Sequence, residues 1–533
     1  MNYFHAMQKR FLILFLFILP LAIIAQEIDV QHYKFELELS DKSDTIKGKA
    51  TITVKALETL TSFDLHLLRV TKGKGMEVER VIQNSQAKNG LRFVHTGEQL
   101  NIILTDSLRK GHTTDVTVFY KGIPADGLVI SKNKFGERTF FGDNWPTRAR
   151  NWLPSNDVPS DKSSVEFIVT APDHYSVVSN GIKLQEKELP GKLKLTHWKE
   201  DLPLPTKVMV IGVARFAVKN FEGTDSLPVS AWVYPKDSAK GFYDYALAME
   251  IIDFFRDYIG PYPYKKLANV QSTTIFGGME NANAIFYDQN SVKGNRSSEG
   301  LIAHEIAHQW FGNMATEKHF SHLWLSEGFA TYLTNLYMEK KYGEDARDSL
   351  LKNQKRQVLR FAADNPDIPV VDSTSPYMDL LNANSYQKGG WILHMLREEV
   401  GDQHFREIIR TYYNQYQGSN ADSRDFQRIA ESVSGKDLNW FFDQWLYKGG
   451  LPKLEFRTSM RGGVNEDELF IDVIQHGNVY KLPLNFVVVA SDGEVKFHRV
   501  YLEQKEQRFT FKTKAPAQVT DDQSKWLLYI EKK

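Results

Sequence analysis

His304, Glu305 and His308 spell H-E-I-A-H, and a carboxylate, Glu327, follows after eighteen intervening residues. This spacing constrains the fold strongly, because it asks one helix to present two imidazoles to a single ion. Positions i and i+4 share a helix face, so His304 and His308 reach the same point. Ile306 and Ala307 then turn toward the interior. Glu305 lies one step round from His304, too far to ligate but close enough to touch a water on the ion. The third ligand decides the class of site. A histidine six residues after His308 would give one arrangement, but Met314 stands there. His319 and His322 have the wrong spacing and read as loop or packing residues, and Glu317 is too close to permit a second helix. Glu327 opens a segment in which Phe329, Leu333, Leu336 and Tyr337 repeat at helical spacing, with Gly343 as its C-cap. Glu327 is therefore predicted to project from a second helix packed against the first. The competing reading is a solvated first-turn carboxylate. The predicted set is His304, His308 and Glu327 on one Zn2+ per chain, a fourth position open to water, and Glu305 as general base.

Four segments carry a resemblance to a known family: H-E-I-A-H-Q-W-F-G from His304, W-L-S-E-G-F-A-T-Y from Trp324, G-G-M-E-N from Gly277 and S-Y-Q-K-G from Ser385. Together they resemble the aminopeptidase N and leukotriene hydrolase group of gluzincin zinc metallopeptidases, with weaker echoes from near Val30 to near Gly450. The resemblance implies a multidomain α+β protein: a β-rich N-terminal domain, then a thermolysin-like, mainly helical zinc domain. It implies peptide substrates with a free N-terminus, whose amine Glu280 binds and whose register Glu280 sets. It makes Gly277, Gly278, Met279 and Asn281 substrate-binding, with the two glycines letting substrate backbone approach. It places Phe276 at a wall of the first side-chain pocket, where a plain core role is the alternative. Tyr386 becomes the phenol that supports the developing oxyanion.

The sequence departs from the family in three places. Gln387 stands where the family usually has glutamate. The family's second polar contact to the amine falls near Trp145, in F-G-D-N-W-P-T-R-A-R-N-W-L-P, where Arg150 and Pro154 do fit. Asp143 or Asn144 is expected to supply that contact instead. The chain also runs to Lys533 through roughly 80 residues of β pattern, so the large helical domain that covers the cleft in many relatives is expected to be missing. A zinc endopeptidase, which has no need of Glu280, and a non-catalytic peptide-binding relative remain open alternatives.

The rest of the chain bounds where this chemistry takes place. Lys9 and Arg10 precede an apolar run, Phe11 to Ile24, and then Ala25, the pattern of a cleaved export signal with the mature chain starting near Gln26. A retained anchor is the alternative. No second apolar segment of spanning length follows. There is no cysteine, which excludes disulfides and thiolate ligands. Lys plus Arg and Asp plus Glu are 66 each, with no basic tract to hold nucleic acid. Period-2 alternation, as in Tyr33 to Leu39, Ala50 to Val54 and Phe167 to Ala171, predicts a β domain over 27–232 after a signal over 1–26. Helical patterns predict the catalytic domain over 233–448, where Phe242, Tyr245, Met249, Ile252, Phe255 and Ile259 share one face of a long helix. The aromatic cluster Trp440, Phe441, Phe442 and Trp445 reads as helix packing. After the turn K-G-G-L-P, a small β-sandwich domain is predicted over 449–533, with strands at Lys453 to Arg457, Leu469 to Ile474 and Leu484 to Ala490.

Overall fold

A computed structural model describes residues 27–84, 90–222, 227–463, 467–521 and 523–532. The predicted export signal, 1–26, lies outside the described residues. The alternating N-terminal segments become strands because each can bury one face and solvate the other. Ile28–Glu38, the first, buries Val30, Tyr33, Phe35 and Leu37. It pairs antiparallel with Ile46–Ala56 and parallel with Lys162–Pro172 at the centre of a seven-stranded sheet. The remaining N-terminal strands form a three-stranded and a four-stranded sheet. Within the four-stranded one, Arg138–Gly142 lies between two partners and delivers the chain to Trp145.

A five-stranded sheet then interrupts the region expected to be mainly helical. Its strands are Ala217–Phe221, Val229–Val233, Leu267–Ser272, Gly278–Met279 and Ala284–Asp288. Leu267–Ser272 escapes a period-2 search because all six residues are buried, so nothing alternates. The expected long helix is two abutting helices, α1 (Ser238–Tyr245) and α2 (Leu247–Tyr258). They part at Ala246, whose carbonyl accepts from Met249 N–H in a tighter turn. Phe242 and Met249 are only half-buried, while Ile251, Ile252 and Phe255 face the core.

Beneath this sheet lie α3 (Glu299–Ala307) and α4 (Trp324–Tyr342), followed by α5 (Glu344–Asp364), α6 (Gly389–Val400), α7 (Asp402–Tyr416), α8 (Ser423–Ser434) and α9 (Asn439–Leu446). Thirteen of the nineteen residues of α4 are buried, so this helix has almost no solvent face. Gly343 ends it at φ 90°, a conformation that favours glycine. Phe441, Phe442 and Trp445 are buried as the packing of α9 requires. The C-terminal region forms a four-stranded and a three-stranded sheet, and Phe486 of one packs on Phe456, Phe509 and Phe511 of the other. Among the described residues, no helix is long and apolar enough to cross a membrane.

Candidate active site

The zinc-binding pattern closes as the spacing requires. His304 lies in α3, and His308 follows as its C-terminal cap, still in helical conformation. Glu327 comes from the first turn of α4. The Nε2 atoms of the two histidines are 3.1 Å apart, and each lies 3.2 Å from Glu327 Oε2. Donors about 2.0 Å from a tetrahedral zinc sit roughly 3.3 Å from one another, so the three atoms form one face of such a site. The donor set, two imidazoles and a carboxylate, is that of a catalytic zinc rather than a closed structural one. His308 Nδ1 is bonded to the Phe311 carbonyl, 3.1 Å, and to Ser326 Oγ, 3.0 Å, which leaves Nε2 for the metal. The residues fit zinc.

The local charge also calls for a cation. Glu280, Glu305 and Glu327 are all buried around the same space. Burial lowers the His308 imidazole, but the carboxylates of Glu327, Glu280 and Glu305 outweigh it and raise it to about 10. Burial holds the Glu305 carboxyl well above the usual range; His308 opposes that rise, and Glu280 and Glu327 add to it. Burial, then the three carboxylates, likewise keep the Tyr386 phenol protonated far above its ordinary value.

A cavity of about 250 Å³ opens over this cluster. Glu280 lines it, with a carboxylate oxygen inside the same 4.8 Å grouping as Glu305 and His308. Gly278 lies on the edge strand of the five-stranded sheet, and a Cβ there would fall 2.3 Å from Glu305 Oε1. Glycine is thus required at this position by the base itself, in addition to any close approach of substrate. Gly277, Met279 and Phe276 also line the cavity. Asn281 does not: it is fully buried beneath the loop, and neither polar atom of its side chain has a partner.

Tyr386 reaches the cluster from a single wide turn, Asn384–Lys388, that runs into α6. Its ring lies nearly parallel to that of His304, with centroids 5.9 Å apart. Gly389, three residues on, meets Gly328 of α4, and this contact sets the distance between the turn and Glu327.

Two expectations are corrected near the amine position. Asp143 accepts from Arg148 on one oxygen, 2.5 Å, and from Thr274 Oγ1 and Ile275 N–H on the other. Asn144 donates to the carbonyls of Thr206 and Met209 and accepts from the Trp152 indole. Both side chains are fully buried and committed to the scaffold, so neither faces an amine. Trp145 lines the cavity in their place. His319 bonds locally to Ser321, His322 bonds to Ser423 at the start of α8, and Glu317 pairs with Lys207, so all three are engaged away from the zinc ligands.

Two supporting residues lie in and just after the zinc motif, Gln309 within it and Asn313 directly following Gly312. Gln309 Nε2 and Asn313 Nδ2 both donate to the Glu280 carbonyl, at 2.9 and 2.7 Å. They tie the loop that carries Glu280 to the exit of α3. Lys162, from the N-terminal sheet, donates in turn to the carbonyls of Asn313, Met314 and Ser419. A polar residue among the apolar neighbours Trp310 and Phe311 was the available signal.

Two family models match this chain: the peptidase family M1 domain over residues 243–445 and the peptidase M1 N-terminal domain over 29–208. The chain belongs to peptidase family M1. Among curated members of the family it is 27% identical over 491 residues to a leucyl aminopeptidase of Saccharolobus solfataricus, covering 88% of this chain and 60% of that one. It is 23% identical to a glutamyl aminopeptidase of Mus musculus, covering 84% of this chain and 49% of that one. The chain thus spans about half to three fifths of the length of these relatives. Among solved structures it resembles an M1 zinc metallopeptidase from Deinococcus radiodurans, 26% identical with a TM-score of 0.68, covering 79% and 93% of the two chains. It shares the fold of an aminopeptidase A from Legionella pneumophila, 18% identical with a TM-score of 0.81, over 95% of this chain and 60% of that one.

Proposed function

We propose that this M1 family protein is a zinc-dependent aminopeptidase that hydrolyses the first peptide bond of peptides with a free α-amine. The observation that carries this is the placement of Glu280 in the same cavity as His304, His308, Glu327 and Glu305. An ammonium group held by Glu280 puts the first carbonyl, and no later one, beside the base.

His304, His308 and Glu327 would hold one zinc per chain, which would supply Lewis acidity at the carbonyl and acidify a water. Glu305 holds and moves the proton: its buried carboxylate accepts from water and then donates to the departing amine. The protonated Tyr386 phenol donates toward the oxygen on which charge develops. Gly278 leaves Glu305 its room, and Gln309 and Asn313 fix the Glu280 loop. The reading includes export of the chain from near Gln26, supported by Lys9, Arg10 and the apolar run that follows.

The test compares leucyl chromogenic amides with free and acetylated amines, with and without chelator, in the protein and in Glu280→Ala. Cleavage of the free-amine substrate only, lost with chelator and weakened about tenfold or more in KM by Glu280→Ala, is expected. Equal cleavage of the acetylated amide would make the protein an endopeptidase, and no cleavage of either would favour a binding role.

A further inference from the structure

The residues that line the cavity over the zinc ligands fall into two chemical sets. One is the histidines and carboxylates already described. The other is Trp145, Phe276, Met279, Leu301 and Leu381, and among the described residues no lysine or arginine lines the cavity. Trp145 is the single lining residue from the N-terminal β region. It is wedged between Phe276 and Phe320, with ring centroids 6.2 and 5.7 Å away. Its backbone is pinned by Arg148 Nε, which donates to the Trp145 carbonyl at 2.7 Å.

Arg148 stands beside these apolar residues, its guanidinium 5.5 Å from the centre of the Phe276 ring. It is already spent. Its other nitrogens bond to Asp126 at 2.9 Å and to the fully buried Asp143 at 2.5 Å. No cationic side chain in the wall is therefore free to compensate a buried negative charge; the Trp145 indole N–H, which has no partner, is a neutral donor, and Glu280, Glu305 and Glu327 would repel an anion. An apolar side chain, by contrast, replaces water against five apolar residues.

Resting on the aminopeptidase reading, we propose that this cavity selects substrates whose N-terminal side chain is uncharged and apolar, that it rejects acidic ones, and that Trp145 is the wall that limits side-chain size. A basic side chain meets no repulsion from the carboxylates but finds no acceptor on Trp145, Phe276, Met279, Leu301 or Leu381, so it falls between the two.

The experiment measures kcat/KM of the zinc-loaded protein for leucyl, methionyl, phenylalanyl, alanyl, lysyl and glutamyl 4-nitroanilides, then repeats the series with Trp145→Leu and Trp145→Phe. Leucyl or methionyl substrates should exceed the glutamyl one by at least about a hundredfold. Trp145→Leu should raise the phenylalanyl-to-alanyl ratio roughly tenfold, and Trp145→Phe, which keeps the aromatic packing, should raise it less. A glutamyl rate within tenfold of the leucyl rate overturns the selection. An unchanged phenylalanyl-to-alanyl ratio in folded Trp145→Leu overturns the role of Trp145. Should no amide be cleaved, the aminopeptidase reading is what has failed. Calorimetric titration with free L-leucine and L-glutamate then decides this proposal: leucine binding without glutamate binding upholds it, and any other pattern overturns it.

Discussion

Gly328 of α4 and Gly389 of α6 meet backbone to backbone: a Cβ on Gly389 would lie 3.0 Å from the Gly328 Cα. Glu327 precedes the first glycine and Tyr386 lies three residues before the second, so one helix contact sets the gap between a metal ligand and the phenol. Gly389→Ala should push the helices apart by a few tenths of an ångström, costing about 1–3 kcal/mol of stability. It should also lower kcat about tenfold or more through misplacement of Tyr386. Thermal unfolding and steady-state kinetics check this; unchanged kcat in a destabilised variant would detach the contact from catalysis.

Glu305 is not one of the three ligands, so the base and the metal are separable. Glu305→Gln should bind one equivalent of zinc by elemental analysis while kcat falls at least about a hundredfold. Substantial residual turnover in that variant would falsify the assignment of the base.

Asn313 joins two layers through one residue. Its side chain donates to the Glu280 carbonyl, and its own carbonyl accepts from Lys162 at 3.1 Å. Asn313→Ala leaves the Glu280 carbonyl on Gln309 alone, so KM for free-amine substrates should rise about tenfold while zinc content stays at one equivalent. If kcat falls and KM does not, Asn313 acts on the chemistry rather than on the amine anchor.

Lys266 is buried and donates to the carbonyls of Ser179 and Asn283. Burial lowers its ammonium to about 7, against 10.5 for the free side chain. Between these values the unfolded chain holds a proton that the folded chain lacks, so stability from this group rises with pH; below about 7 both states are charged and the burial penalty is fully present. Urea unfolding at pH 7.5, 8.5 and 9.5 should show Lys266→Met losing a positive slope of about 1.4 kcal/mol per pH unit relative to the parent. A parent-to-variant difference that is flat in pH would mean that Lys266 keeps its charge when folded.

The zinc ligands were legible because their chemistry fixes both residue type and spacing: His304 and His308 need one helix face, and Glu327 needs a second helix. The strand pattern of the N-terminal region was legible where one face is wet, as at Tyr33 to Leu39. Leu267–Ser272 was not, because a strand buried on both faces has no alternation to read. Asp143 and Asn144 were misjudged for a related reason. A polar residue near a site looks available in sequence, and only the partners brought from Arg148, Thr274, Thr206 and Trp152 show that it is already satisfied. Gln309 and Asn313 act through a carbonyl, which every residue has, so residue identity could not name their target.

The unbroken burial of residues 324–333, the first half of α4, ties metal affinity to the melting of the whole interior. A helical segment without a solvent face cannot loosen alone, so Glu327 leaves its place only when the surrounding core opens. Zinc and folding are then thermodynamically linked: a mutation anywhere in that core that favours the open state weakens zinc, and saturating zinc raises the unfolding temperature of every core variant that still folds.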